Sequence, residues 1–195
     1  MPKPFVDIRL EKQKLREEYK VVRRAVPLEQ RADFGEKIRE RVRSLWGYRE
    51  SDTLLCYVSG PLEVETRPLI SLALQEGKRV AVPRCVPETR IMEFYLIDSL
   101  DELSAGSFGI QEPQPQAERL LRSFERCLCI VPALALDMQG YRLGFGKGYY
   151  DRFLSHFPGS SLSLCYENSL APKIPHGKYD KRMPLIVTER RIIRP

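Results

Sequence analysis

The chain has 195 residues, 43% hydrophobic and 30% charged, with 32 basic against 26 acidic side chains and a formal net charge of +6. That length fits a single domain with its own core, and the composition excludes wholesale disorder, collagen and coiled coil. Residues 1–50 hold 14 Lys/Arg against 9 Asp/Glu, a net of +5, so the excess base is N-terminal; its mixture with acid reads as a solvated helix face and not as a nucleic-acid arm.

In chain order, Ile8, Leu15, Tyr19, Val22 and Val26 recur near helical spacing and predict a first helix from residue 8 to about 25. A second follows Pro27, with Phe34, Ile38, Val42 and Leu45 on one face, and Pro27 suits its first turn. Both precede any strand, as a helical pair expected to pack on the rest of a single domain spanning residues 1–195. Leu54–Val58 reads as a buried strand, and Ser59-Gly60-Pro61 as a turn. Thr66 is positioned to cap a helix through Leu69–Leu74, which Gly77 would end. Further strands are expected at Arg79–Pro83, Met92–Ile97, Leu128–Val131, 161–166 and Leu185–Thr188, with a loop at 106–117 and a helix at 149–157. Alternating strands and helices predict an α/β fold with a mostly parallel sheet. A ligand then belongs outside the carboxyl ends of the strands, where residues 59–66, 106–115 and 133–150 lie.

No apolar stretch approaches the roughly 18 residues of a membrane span. The first thirty residues lack the apolar run of a secretory signal, and the five cysteines are odd in number with no CxxC. Free thiols in a reducing cytoplasm are the expectation. Cys127 and Cys129 alternate in an apolar strand and read as buried structural thiols. Neither His156 nor His176 has a partner at zinc-like spacing.

The most informative stretch runs from Arg142 to Arg152, with Gly144, Gly146 and Gly148 alternating with side chains just before a helix. Converging backbone N–H groups, a helix N-terminus, Arg142 and Lys147 suit the phosphates of a nucleotide, and Asp151 offers a hard oxygen to Mg²⁺. It is not a Walker A loop, because Tyr141 and Gly148 stand where Gly and Ser/Thr are required. The spacing also misses the dinucleotide fingerprint. A flexible turn with aromatics packed in the core is the competing reading of the same residues.

Pro132–Asp137, Gly140–Gly144 and the run through Tyr150-Asp151 together resemble the signature of the 5-formyltetrahydrofolate cyclo-ligase family. Lys12 with Arg16, Glu63-Val64-Glu65-Thr66, and Gly106–Ile110 with Pro113 match its weaker motifs in order. The resemblance implies a three-layer α/β/α sandwich, Rossmann-like and related to ribose-phosphate isomerase and CoA-transferase domains. It implies ATP- and Mg²⁺-dependent conversion of 5-formyltetrahydrofolate to 5,10-methenyltetrahydrofolate, by phosphorylation of the formyl oxygen and ring closure by N10. By the same matching, Lys12, Arg16, Arg142, Leu143, Gly144, Phe145, Gly146, Lys147, Gly148, Tyr149 and Tyr150 would contact ATP, with Arg142 and Lys147 catalytic. Val58, Glu63, Phe108, Phe145, Gly146, Lys147, Gly148 and Tyr149 would contact the folate, and Asp151 and Asp180 the metal.

Several of these positions have plain structural alternatives. Lys12 and Arg16 could share a solvated helix face, Tyr149 or Tyr150 could be a core aromatic, Phe108 could anchor its loop, and Glu65 lies close to Glu63. The family's His and Asp flanking the second metal position are replaced by Tyr179 and Pro184. That departure leaves open a relative that uses ATP on another substrate. The expected partner is a small folate, with no nucleic acid and no membrane, and the expected state is a monomer.

Overall fold

The structure, a computed structural model, describes residues 7–106 and 109–195. The chain opens with α1 (Ile8–Arg24), capped where the Asp7 carboxylate accepts from the Arg9 amide at 2.8 Å, followed by α2 (Leu28–Ser44) and the short α3 (Trp46–Glu50). Five residues are too few to show a hydrophobic period, so α3 left no sequence signal.

The main sheet is built from β1 (Thr53–Cys56), β2 (Arg79–Cys85), β3 (Met92–Ile97), β6 (Cys127–Val131), β9 (Ser160–Leu164), β11 (Ile186–Val187) and β12 (Ile192–Ile193). Its order is β12-β11-β9-β6-β1-β2-β3. The five central strands are parallel, and β3 and β12 close the edges antiparallel. Side chains alternate between faces along each strand. Leu54, Cys56, Val80, Val82, Leu128 and Ile130 enter one core with Ile38 and Val42 of α2 and with Leu69, Ile70 and Ala73 of α4 (Arg67–Gln75). Leu55, Ala81, Cys127, Cys129 and Val131 enter the other, against Phe153 and Leu154 of α5 (Tyr149–Leu154). Helices therefore cover both faces, giving the three-layer α/β/α arrangement. Ile130 is fully buried in a central strand, and its truncation to Ala would cost about 2–5 kcal/mol.

The ends of α4 show where local chemistry departs from expectation. Thr66 does not cap the helix: its hydroxyl donates to the Tyr57 carbonyl at 2.6 Å and accepts from the Ser59 amide. The Glu65 carboxylate caps instead, accepting from the Thr66 and Arg67 amides at 3.1 and 3.0 Å. At the other end Gly77, at φ +76°, lets its own amide reach the Leu74 carbonyl and the Lys78 amide reach Ala73, a Schellman closure.

One stretch expected as a loop and one for which no strand is expected both contain strands. Within 106–117, β5 (Gln111–Glu112) pairs antiparallel with β4 (Ser104–Ala105). Within 133–150, β7 (Ala135–Asp137) and β8 (Arg142–Leu143) form a hairpin, and β10 (Leu170–Ala171) joins β7 in parallel. Leu15 and Tyr19 of α1 pack on this small sheet, against Leu134, Ala135, Leu143, Ala171 and Ile174. Strands of two or three residues leave too short a period to read from sequence.

Candidate active site

The chain passes from β1 to β2 on one side and returns to β6 on the other. That reversal opens a crevice beyond the carboxyl ends of β1 and β6. A cleft of about 910 Å³ lies there, bounded by α1, the 57–63 turn, the ends of β2 and β5, the glycine turn before α5 and the C-terminal loop at Asp180.

One wall is cationic. Lys12 and Arg16 stand one helical turn apart on α1 and both face the cleft, so their shared face is not merely solvated surface. The Arg16 Nε donates to the Gly144 carbonyl at 2.8 Å, and burial lowers its pKa against the opposing pull of Asp180. Gly146 holds φ +98°, and a Cβ there would stand 3.3 Å from the Arg16 Cζ, so glycine answers both backbone and space. Gly148, at φ +74°, precedes α5. Arg142 is almost wholly buried at 7% exposure. One of its terminal nitrogens lies 2.8 Å from the Asp151 Oδ1, yet that nitrogen and Nε make no directed hydrogen bond. A buried guanidinium with orphaned donors at a cleft fits a polyanionic ligand. Phe145 and Lys147 complete this rim.

The two acidic positions belong to the same wall. Asp180 pairs with the Lys12 Nζ at 2.5 Å and accepts from the Gly177 amide at 2.7 Å. Burial works against its carboxylate, but Gly177, Lys12 and Arg142 outweigh it and hold the pKa below the usual value. Asp151 accepts from the Lys181 amide at 3.2 Å, which brings the two carboxylates to adjacent strands of chain. Among the described residues no three His, Cys, Asp or Glu cluster as a metal site. Two hard carboxylates beside a phosphate-sized basic pocket nevertheless fit Mg²⁺, which takes few protein ligands and keeps waters. Tyr179 is 79% exposed and lies off the cleft lining.

The opposite wall is mostly apolar, with Val58, Pro83, Met92 and Ile110. Its polar groups include Glu63, whose Oε2 accepts from the Gly60 amide at 2.7 Å, with Gln111 and Glu112 beside Ile110. Burial raises the Glu63 pKa, while Gly60 and the buried Arg23 cation pull it down. Glu65 is turned into the cap of α4, which separates the two glutamates. Phe108 lies outside the described residues.

One expected contact needs correction. Leu143 is fully buried against Leu134 and Ala135, because the β8 alternation that sends Arg142 to the cleft sends its neighbour inward. Tyr150 lines the cleft but packs into both cores, its hydroxyl buried without a partner; Tyr149 reaches the Thr89 carbonyl at 3.3 Å.

Sequence reading missed Asp137, which is buried and accepts from the Gln139, Tyr141 and Ile174 amides at 3.0, 2.9 and 2.9 Å. It ties the β7–β8 hairpin to the loop that carries Asp180. Its position just before the Gly140 turn was the available signal. Cys85, at the carboxyl end of β2, was signalled by topology alone. Arg24 and Arg31 had no signal beyond charge.

The sequence model of the 5-formyltetrahydrofolate cyclo-ligase family matches residues 8–189. The chain belongs to the 5-formyltetrahydrofolate cyclo-ligase family. It is 33% identical over 147 residues to a probable 5-formyltetrahydrofolate cyclo-ligase of Schizosaccharomyces pombe, covering 68% of this chain and 72% of that one. It is 28% identical to the Escherichia coli K12 5-formyltetrahydrofolate cyclo-ligase, covering 87% and 96%. The solved Aquifex aeolicus 5,10-methenyltetrahydrofolate synthetase superposes with a TM-score of 0.81 at 31% identity, covering 94% and 92%. Cyclo-ligase membership and the α/β/α architecture thus agree with the motifs quoted above. Among the described residues no helix is long and apolar enough to cross a membrane.

Proposed function

We propose that the protein converts 5-formyltetrahydrofolate to 5,10-methenyltetrahydrofolate at the expense of ATP. The observation that carries this reading is the meeting, in one cleft, of a cationic glycine turn with a mostly apolar wall that carries the half-buried Glu63 carboxylate. A triphosphate suits the first and a flat, N–H-bearing pterin suits the second.

An N-formyl group resists attack because its oxygen leaves poorly. Transfer of the γ-phosphoryl group to that oxygen, with ADP as leaving group, makes the carbon electrophilic. The N10 lone pair then forms the new C–N bond, N10 loses its proton to solvent, and phosphate departs with the C–O electron pair.

The protein's work is positioning and charge neutralisation. Arg142 and Lys147 would face the transferred phosphoryl group. Lys12, Arg16 and the amides of 144–148 would hold the remaining phosphates, and Glu63 would accept from the pterin N–H groups. Asp151 and Asp180 would hold Mg²⁺, which neutralises phosphate charge when bound. Lys12 and Arg142 would then exchange those carboxylates for phosphate oxygens. The five free thiols suit a reducing cytoplasm. Purified protein given Mg-ATP and 5-formyltetrahydrofolate should generate the absorbing methenyl product. Folded protein that leaves intact substrate unchanged overturns the reading.

A further inference from the structure

The carboxylate of Glu63 rides on a turn whose two ends are anchored, the Tyr57 hydroxyl donating to the Val64 carbonyl at 3.0 Å and Arg67 to the Ser59 carbonyl at 3.0 Å. The Glu63 amide donates to the Gly60 carbonyl at 3.1 Å and the Glu63 side chain returns to the Gly60 amide, so both bonds are internal to the turn. What holds the tip of the turn is Arg31, in the first turn of α2. Its NH1 donates to the Pro61 carbonyl at 3.0 Å, at the tip of the turn. The rest of the guanidinium faces the end of α1: Nε donates to Val26 at 2.9 Å, and NH2 donates to Arg23 and Arg24 at 2.9 and 3.3 Å. Those are carbonyls at and just beyond the end of α1, the Arg23 carbonyl also accepting from the Val26 amide at 3.4 Å, and a cation is favoured there. The planar fork of arginine can bridge the helix end and the turn together, and a lysine ammonium cannot. Arg31 also borders the cleft.

We infer that Arg31 is a positioning residue for the folate half of the site: it docks the Glu63 turn onto the carbonyl end of α1, the helix whose other turns carry Lys12 and Arg16. The inference rests on the reading of Glu63 as the substrate's carboxylate partner. It assigns Arg31 no contact with the reacting atoms.

The test compares Arg31→Ala, Arg31→Lys, Glu63→Gln and the Arg31→Ala/Glu63→Gln pair by folate KM, by Mg-ADP affinity in calorimetry and by amide exchange at Gly60 and Glu63. Arg31→Ala is expected to raise folate KM about tenfold, leave Mg-ADP affinity within about twofold, and speed exchange at those two amides alone. Arg31→Lys should show a smaller rise, and Arg31→Ala should add nothing in the Glu63→Gln background. If Glu63→Gln itself leaves folate KM unchanged, the reading of Glu63 fails. If Glu63→Gln acts and neither Arg31 variant does, the Arg31 inference alone fails. Equal losses of folate and nucleotide affinity, or a failure of both Arg31 variants to fold, make Arg31 a residue of general stability and overturn it as well.

Discussion

The cationic wall draws on parts of the chain far apart, with Arg16 bonding to Gly144 across 128 residues, and two of its cations already stand beside carboxylates. Lys12 meets Asp180, and Arg142 lies beside Asp151. The apolar wall carries Glu63 on one local turn, where the half-buried carboxylate has a single amide partner and a raised pKa. The first wall is a set of paired charges that a ligand and a metal can rearrange. The second is one desolvated group waiting on its geometry. Loss of a residue from the first should therefore strike turnover, and loss from the second should strike substrate affinity.

The largest effect is expected at Arg142. Arg142→Met removes the buried cation proposed to face the phosphoryl group, and kcat should fall about 10²–10³-fold. It also leaves Asp151 without its buried partner, so a matched loss of stability in thermal unfolding is expected. Lys147→Ala separates the two effects, since Lys147 is an exposed member of the glycine turn: kcat should fall comparably with an unchanged melting temperature. A kcat near wild type in both variants would remove the cationic wall from the chemistry.

Glu63→Gln probes the other wall. A charge-assisted hydrogen bond is worth about 1.5–3 kcal/mol, so folate KM should rise about ten- to hundredfold while nucleotide affinity holds. The pH dependence has a definite sign. Because burial raises the Glu63 pKa, the acid limb of kcat/KM for folate should lie above the ordinary glutamate value near 4.3, and Gln should abolish it. A raised carboxyl pKa also means that the folded state binds the proton more tightly than the unfolded chain. The ionised group therefore subtracts stability as pH rises above the unfolded value. Glu63→Gln should be at least as stable as the parent at pH 7, with that advantage vanishing below about pH 4. A variant that loses stability at neutral pH contradicts the half-buried, raised-pKa geometry.

Gly146→Ala tests the packing between helix and turn. The residue holds a positive φ, and the added methyl meets the Arg16 guanidinium, so a cost of about 1–2 kcal/mol and a weaker nucleotide affinity are expected. An Ala variant with unchanged nucleotide affinity would show that Arg16 and the turn act independently.

The two walls were unequally legible in the sequence. The glycine turn could be read because its chemistry is contiguous: three glycines, two cations and an aspartate within a few residues of a helix start. The parallel sheet was legible from strands such as Cys127–Val131 whose length and burial exceed any ambiguity. The Lys12–Asp180 pairing was not, since no local pattern reports which surface a helix face will meet. The hairpin of β7 and β8 also escaped, because two- and three-residue strands carry no period, and with it went the inward burial of Leu143 and the bridging role of Asp137. Arg31 illustrates the general limit. Its partners are all backbone carbonyls, which every residue supplies, so nothing in sequence could mark them.

The smallest expected effect separates two glutamates that sequence alone barely distinguishes. Glu63 and Glu65 lie two residues apart, and in an extended segment that spacing would put them on the same face. The turn breaks that equivalence: Glu65 accepts from the Ser59 hydroxyl and from the Thr66 and Arg67 amides, at the start of α4. Burial works against its charge, but Ser59 and Arg67 outweigh it, and its pKa falls below the usual value. The sign is thus opposite to that of Glu63. Its ionised form stabilises the fold above the unfolded pKa, and the contribution is lost as pH falls through the folded value. Glu65→Gln should cost about 0.5–1 kcal/mol at pH 7, the worth of a helix cap, and less as pH falls through the lowered folded pKa. Folate KM should stay within about twofold, because the side chain faces the helix and not the cleft. A Glu65→Gln variant that loses folate affinity while Glu63→Gln keeps it would exchange the roles of the two carboxylates and move the apolar wall's polar group to the other side of the turn.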